Sequence, residues 1–371
     1  MKIVHIIIGL NVGGAELMLQ RLVLNSTKKG KFNHCVISLT DLGVIGPKLQ
    51  AEGIKVYSLG IKSLSSLPLT FFKLKRIIKE IEPDVVQTWM YHSDLIGGLA
   101  AKSLGVKNIV WGIRNTDIRP DHHLGRKAFF KACSYLSYSI PNRIVCVAKQ
   151  AKVFHTQFGY DENKMLVIPN GFDVTKFAPN QSKRKALRAK LNINDDEVVI
   201  GNIGRYLPIK NQVNFIKACI LLLQKGFTFK ALLAGREVNL DNPEIAEILA
   251  NSNLSDSFVF MGEIDNTPEF YNAIDIFCLC SSTEGFPNVL GEAMASENIC
   301  LTTNAGDAWD ILSNNGFRIE STSTVDIAKA IEENVLNRSI HELKEKGRRA
   351  RVSVMNNYSI DKIVSQFESL Y

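Results

Sequence analysis

At 371 residues, with 46% hydrophobic and 22% charged residues, the chain is too long for one ordinary core and has the make-up of a two-domain globular protein. Its seven cysteines (Cys35, Cys133, Cys146, Cys219, Cys278, Cys280 and Cys300) are odd in number and sit in apolar runs, which excludes a disulfide framework and implies reduced thiols in a cytoplasmic protein. No apolar run approaches the ~20 residues of a membrane helix, and the net charge of +7 is uneven: residues 1–178 hold 24 Lys+Arg against 12 Asp+Glu, the rest 20 against 25. A basic half of this kind suits an anionic membrane surface or a phosphate-bearing acceptor. It carries no aromatic-basic array or recognition motif for nucleic acid.

In chain order, β-branched runs at 3–9, 34–39, 55–59, 85–88, 108–112, 143–147 and 165–168 predict strands. Apolar residues at three- and four-residue spacing predict helices between them, notably at 16–24, 71–81 and 95–104. This alternation implies right-handed crossovers and a parallel sheet covered on both faces. The turn Pro169-Asn170-Gly171, followed by Pro179 and a polar helix at 183–191, places a domain boundary after residue 178. The pattern then restarts, with strands expected at 198–203, 229–234, 258–261, 276–279 and 299–302 and helices at 213–224 and 288–295. The closing stretch 359–370 is amphipathic, with Ile360, Ile363, Phe367 and Leu370 on one stripe. The expected architecture is α/β: two doubly wound, Rossmann-like domains, 1–178 and 179–354, facing each other across a cleft. Ligands then belong at the carboxyl ends of the strands.

Three loops carry candidate chemistry. The first, Gly9 to Glu16, joins a strand to a helix, and Gly13 and Gly14 there let backbone approach a phosphate at the helix N-terminus. It lacks the G-x-G-x-x-G dinucleotide fingerprint, so Asp41 after the second strand is weak support for an NAD site. The second, Gly204-Arg205-Tyr206-Leu207-Pro208-Ile209-Lys210, puts two cations at a strand's carboxyl end, one a fork for phosphate oxygens and one a point charge. The third runs from Ser281 to Met294. Its Glu284 ends a strand-loop, and Gly285, Phe286, Pro287, Asn288, Val289 and Leu290 lead into a helix starting near Pro287, with free amides for a diphosphate. Glu292 follows in the body of that helix, and each carboxylate can accept paired hydroxyls from a sugar or a ribose.

Taken together these residues resemble the family-4 retaining glycosyltransferases of the GT-B fold. Glu284 and Glu292 match the family's Glu-x7-Glu motif, and Arg205 with Lys210 matches its phosphate-gripping pair. Gly13-Gly14-Ala15-Glu16, Ile168 to Asp173 with Phe177, and Ala305-Gly306-Asp307 are similar to its other markers, in the right order along nearly the whole chain. The resemblance implies that Arg205 and Lys210 neutralise the departing donor diphosphate, that Glu284 binds the transferred sugar and that Glu292 binds the ribose. It implies that Gly13 and Gly14 bring backbone to the β-phosphate, and that 355–371 crosses back onto the N-terminal, acceptor-binding domain.

Two departures stand out. The family commonly has a histidine near the sugar after its fifth strand, where this chain has Arg114 and Asn115; His92, after the preceding strand, is the other candidate. Asp310 stands where Glu is usual. His122 and His123 read as solvated loop residues, and His5 and His34 as structural.

The chain contains no Asp-x-Asp, the metal-holding motif of the other main glycosyltransferase fold, so neither metal nor cofactor is expected. The implied reaction moves a sugar from a nucleotide-sugar donor, UDP-linked above all, to a saccharide or lipid-linked acceptor with retention. Cell-surface polysaccharide or lipopolysaccharide is the expected product, and the location cytoplasmic, at most peripheral on a membrane. A nucleotide-sugar epimerase or a phosphorylase of GT-B architecture is the nearest rival reading, and an NAD-dependent oxidoreductase a distant one.

Overall fold

All seven β-branched runs of the first half form strands: β1 (Lys2–Ile7), β2 (Asn33–Ser38), β3 (Lys55–Ser58), β4 (Val85–Trp89), β5 (Asn108–Ile113), β6 (Arg143–Cys146) and β7 (Met165–Val167). Each is nearly continuous in apolar residues because helices cover both faces of the sheet. The five runs of the second half form β8 (Val199–Ile203), β9 (Lys230–Ala234), β10 (Phe258–Phe260), β11 (Ile276–Leu279) and β12 (Ile299–Thr302). A thirteenth strand, β13 (Phe317–Arg318), is too short to leave a pattern in the sequence. This computed structural model describes residues 1–61, 67–116 and 124–371; His122 and His123 lie outside the described residues.

Both sheets are parallel. Their orders are β3-β2-β1-β4-β5-β6-β7 and β10-β9-β8-β11-β12-β13, so the direction in which successive strands are added reverses between β1 and β4 in one and between β8 and β11 in the other. These are the topological switch points of two doubly wound sheets, where loops part and ligands can enter. No described helix is long and apolar enough to cross a membrane, and all seven cysteines are buried free thiols.

The chain divides into two units, Met1–Gly171 with Ile360–Tyr371, and Phe172–Ser359. Relative to the sequence expectation, the first division falls before Phe172 instead of after Ala178. Phe172 stacks on Phe286 with ring centroids 6.1 Å apart, and its N–H donates to the Tyr358 carbonyl at 2.8 Å. Gly291 makes room for that ring, since a Cβ there would come 2.1 Å from Phe172 Cζ. Phe177 meets Tyr271 edge-on at 6.0 Å, and Arg351 donates to the carbonyls of Val174 (3.0 Å) and Phe177 (2.8 Å). Residues 172–178 are therefore stitched to the second unit.

The closing segment returns to the first unit from Ile360, where 355 was expected, because helix Ile340–Tyr358 is continuous through residue 358. Helix Ile360–Glu368 buries Ile360, Ile363, Val364 and Phe367 in the same core as Leu10, Met18, Leu19 and Leu22. At about 1.5–3 kcal/mol for each large apolar side chain, this stripe alone accounts for attachment of the segment.

Candidate functional site

In the second unit, three loops meet at the carboxyl ends of β8, β11 and β12. After β8 the chain makes one tight turn (Pro208–Lys210), passes through Asn211 in the left-handed region (φ 59°) and enters helix Gln212–Gln224. Gln212 Nε2 donates back to the Arg205 carbonyl at 3.0 Å, and Ser282 N donates to the Ile209 carbonyl at 2.8 Å, joining this loop to the one after β11. Gly306, after β12, has φ +57°, and any Cβ there would lie 2.4 Å and 2.6 Å from the carbonyl oxygens of Glu284 and Gly285. Only glycine allows both that conformation and that approach.

The result is a charged pair. Lys210 Nζ lies 2.6 Å from Glu284 Oε1, and Ser281 Oγ donates to the same oxygen at 2.7 Å. The two side chains are 23% and 11% exposed, so this is a half-buried, charge-assisted bond at the switch point. Arg205, on the β8 loop, is exposed and forms no ion pair with a described residue. Glu284 and Lys210 are thus brought into contact, with Arg205 on the same loop.

Helix Asn288–Ala295 has the bounds the sequence predicts, with Pro287 at the capping position and no side chain capping it. Its first-turn amides are left without a side-chain partner of that kind. Phe286, Pro287 and Leu290 are buried, and Gly285, Asn288 and Val289 half-buried. Glu292, 7% exposed, accepts a hydrogen bond from Tyr271 at 3.2 Å. Asp307 is buried ahead of the short helix Ala308–Leu312, and Asp310 is exposed on it.

The sequence reading missed the loop after β9. Gly235 (φ +139°) sits so close to the β8 loop that a Cβ would fall 1.9 Å from the Gly204 carbonyl oxygen, and Tyr206 N donates to the Arg236 carbonyl at 2.9 Å. The Gly-Arg dipeptide therefore recurs at the ends of two adjacent strands, Gly204-Arg205 and Gly235-Arg236, and that repetition was a readable signal. A cavity of about 670 Å³, lined by Arg184, Asp275, Glu297 and Asn298 among others, lies at the opposite, amino ends of β8, β11 and β12. It shares no residue with these loops.

In the first unit, Gly13 caps helix Gly14–Lys28, and the carboxylate of Glu16 folds over it: a Cβ on Gly13 would come 2.4 Å from Oε2. Burial pushes the Glu16 carboxyl above its usual range. His92 is exposed in the first turn of helix Tyr91–Ser103 and stacks on Phe129 at 4.8 Å, and Asn115 is exposed just past β5. Arg114, in contrast, is buried, with its guanidinium 4.5 Å from the Trp89 ring centroid and 5.6 Å from that of Phe367. His5 and His34 form a buried pair, Nε2 to Nδ1 at 2.9 Å, with Trp89 Nε1 donating to His5 Nδ1 at 3.3 Å.

Residues 12–176 match the family model Glycosyltransferase Family 4, and residues 183–351 the model Glycosyl transferases group 1. The chain is 28% identical over 313 residues to the putative glycosyltransferase EpsF of Bacillus subtilis, covering 82% of this chain and 79% of that one. It is 25% identical over 316 residues to the UDP-Gal:alpha-D-GlcNAc-diphosphoundecaprenol alpha-1,3-galactosyltransferase of Escherichia coli, covering 84% and 80%. Among solved structures, Anabaena Alr3699/HepE in complex with UDP superposes with a TM-score of 0.87 at 20% identity, over 100% of this chain and 99% of that one. With the two models matching most of the sequence in order, the chain belongs to the family-4 (group 1) glycosyltransferases and has their GT-B fold.

Proposed function

We propose that the chain transfers a sugar from a UDP-sugar to a saccharide or lipid-linked acceptor, with retention and without a metal, in cell-surface polysaccharide or lipopolysaccharide synthesis. The observation that carries this reading is the Lys210–Glu284 pair at the β8/β11 switch point. A bound donor separates the pair's tasks. Its diphosphate takes Lys210 and Arg205, its sugar hydroxyls take Glu284 and its ribose takes Glu292. Cleavage of the anomeric C–O bond passes through an oxocarbenium-like state and places growing negative charge on the diphosphate. Cations on the β8 loop and the N-terminus of helix Asn288–Ala295 therefore act mainly on the transition state. In the first unit, Gly13 and Gly14 are assigned to the donor phosphate and His92 and Asn115 to the sugar side.

The donor assignment draws on the UDP and UDP-glucose named in the Anabaena structures. The acceptor assignment draws on two relatives named for diphosphoundecaprenol-linked acceptors, in Escherichia coli and Campylobacter jejuni. Peripheral docking on anionic lipid suits helix Leu67–Ile81, which exposes Leu69 (63%) and Phe72 (68%) beside Lys73, Arg76 and Lys79.

Titration of UDP into Glu292→Ala and Glu284→Ala proteins tests the reading. Glu292→Ala should weaken UDP by roughly tenfold, the scale of a lost hydrogen bond to a charged group. Glu284→Ala should leave UDP binding within about twofold while lowering turnover, because it is assigned to the sugar. Equal losses in both would contradict the assignment. UDP release that requires acceptor and persists in excess chelator separates transfer from epimerisation and from metal-dependent transfer.

A further inference from the structure

The loops bearing His92 and Asn115 leave the adjacent strands β4 and β5, and one buried carboxyl group ties them together. Asp94, 1% exposed, accepts from Thr88 Oγ1 at 2.5 Å and from Gly112 N at 3.2 Å through the same oxygen, Oδ1. Thr88 Oγ1 also reaches the Val110 carbonyl at 3.3 Å. Gly112 in turn accepts from Met90 N at 2.8 Å, and Asp94 N donates to the Met90 carbonyl at 2.9 Å. Met90, between these bonds, has φ 68°, a left-handed conformation that a residue with a side chain adopts only when its surroundings enforce it. A Cβ on residue 112 would come 2.7 Å from the Thr88 carbonyl oxygen, so the strands approach each other more closely here than side chains permit.

A packing role does not call for this arrangement. Asp94 Oδ2 has no hydrogen-bond partner among the described residues, and burial pushes the carboxyl up to about 8. Arg114, Cys133, Cys146 and Tyr160 are the ionisable groups that face it. A buried carboxyl left half-satisfied is costly, and an apolar residue would fill the volume with less penalty. What an apolar residue cannot do is hold the Gly112 amide and the Thr88 hydroxyl at one point, and with them the left-handed turn that starts helix Tyr91–Ser103.

We propose that Asp94 is a positioning residue for glycosyl transfer, fixing the ends of β4 and β5 so that His92 and Asn115 are presented in register. This rests on the glycosyltransferase reading above. The test uses the full-length chain, with UDP as binding probe. For turnover it uses whichever of UDP-glucose, UDP-galactose and UDP-N-acetylglucosamine the unmutated protein consumes. Asp94→Ala should lower kcat by roughly 10- to 100-fold, the scale of a misplaced reacting group, with the Kd for UDP changed less than about twofold, because Arg205, Lys210 and Glu292 lie in the other unit and Gly13 and Gly14 follow β1, away from the β4 and β5 ends. Asp94→Asn keeps the Oδ1 acceptor and should recover kcat to within about threefold.

Should Asp94→Ala not fold, Thr88→Val removes one donor from the same oxygen and should lower kcat several-fold, again with UDP binding retained. Independently of activity, amide exchange at Met90 and Gly112 should speed up in Asp94→Ala and not in Asp94→Asn. Wild-type kcat in folded Asp94→Ala or Thr88→Val overturns the proposal. So does equal impairment of the Ala and Asn variants, which would mean that charge and not hydrogen-bond geometry matters. Absence of UDP-sugar turnover in the unmutated protein would instead sink the functional reading, leaving amide exchange to judge the positioning.

Discussion

Arg188 in the second unit and Arg114 in the first are both buried, at 0% and 8% exposure, and the protein treats them in opposite ways. Arg188 donates to the carbonyls of Ala273, Asn194, Asp195 and Glu197 and forms an ion pair with Asp275 at 2.8 Å. Among the described residues, none of the three guanidinium nitrogens of Arg114 has a hydrogen-bond partner, and the group lies against two aromatic faces. Burial lowers the Arg114 guanidinium to about 9. Among the described ionisable groups the same contrast runs through both interiors, the unpartnered buried atoms of the second unit being on the neutral amides of Gln212 and Asn298. The second unit pairs Lys210 with Glu284 and Tyr271 with Glu292. The first keeps Asp94 and His34, and the neutral Gln87 beside them, each with a polar atom unpartnered among the described residues. A satisfied buried charge is architecture, whereas a half-satisfied one marks a place where something other than stability is being held.

The largest effect expected from this contrast is on Arg188. Arg188→Leu would remove one of the two arginines paired with Asp275, which keeps Arg184 at 2.7 Å and Val199 N at 2.8 Å, and would take a charged donor from four carbonyl groups. The cost should be about 3–5 kcal/mol, the scale for disrupting a buried, hydrogen-bonded ion pair. Thermal or denaturant unfolding measures it. A loss under about 1 kcal/mol would mean that the network is replaceable and that the two arginines do not differ as described.

Next comes the charged pair of the second unit. Arg205→Ala and Lys210→Ala should each cut kcat/KM by ~10²-fold, the usual scale for a transition-state charge contact. Both residues sit on a loop, so stability should change little. Lys210→Ala also frees Glu284, whose Oε1 keeps the hydrogen bond from Ser281. Near-normal turnover in a folded double variant would remove these loops from the reaction.

The sequence revealed residue types better than relationships. Lys210 and Glu284 were recognisable separately, but they are 74 positions apart and meet only because β8 and β11 are neighbours in the sheet. Pro287 marks the start of the helix at 288–295 as expected, because proline is tolerated only at a helix's first positions or just before it. Asp94 was passed over because an acid near a helix start ordinarily favours the dipole from solvent. It is buried because Gly97 and Gly98 let that helix lie against the sheet: Cβ atoms there would come 2.9 Å from Ile6 Cδ1 and 2.6 Å from Trp111 Nε1. Adjacent glycines inside a helix were the available sign of close packing. The strands were legible throughout because buried parallel strands are written as plain β-branched runs.

A third effect is on stability against pH, and it belongs to the first unit. Burial lowers His34 and His155 to about 4, from a usual 6.5. The unfolded chain therefore binds protons first, and stability falls as pH drops from about 6.5 towards 4. Burial raises Asp94 from 3.8 to about 8, so the folded state holds a proton that the unfolded chain has lost. That contribution falls as pH rises from about 4 to 8. The histidines outweigh Asp94 below 6.5 and Asp94 acts alone above it, so the melting temperature should peak near neutrality. Each proton is worth at most about 1.4 kcal/mol per pH unit. Asp94→Asn should flatten the limb between 6.5 and 8 and steepen the acid limb, where the histidines then act unopposed. An unchanged alkaline limb would mean that the carboxyl is not held protonated by the fold.

The smallest expected change is the one that decides the comparison. Arg114→Met keeps an unbranched chain against Trp89 and Phe367 and removes a charge that makes no hydrogen bond among the described residues. The lost cation–π contacts are worth about 0.5–2 kcal/mol. Against this stands the relief of an uncompensated buried charge, and replacing buried charges by apolar groups of similar size is often neutral or stabilising by about 1–4 kcal/mol. The net change should lie between no effect and a modest gain, read as an unfolding midpoint equal to or above that of the unmutated chain. A loss exceeding about 2 kcal/mol would show that the aromatic faces compensate this guanidinium as fully as carbonyls compensate Arg188, and the distinction between the interiors would fail. If stability holds and UDP-sugar turnover drops, the guanidinium, one residue before Asn115, is kept at the end of β5 for the transfer reaction and not for the fold.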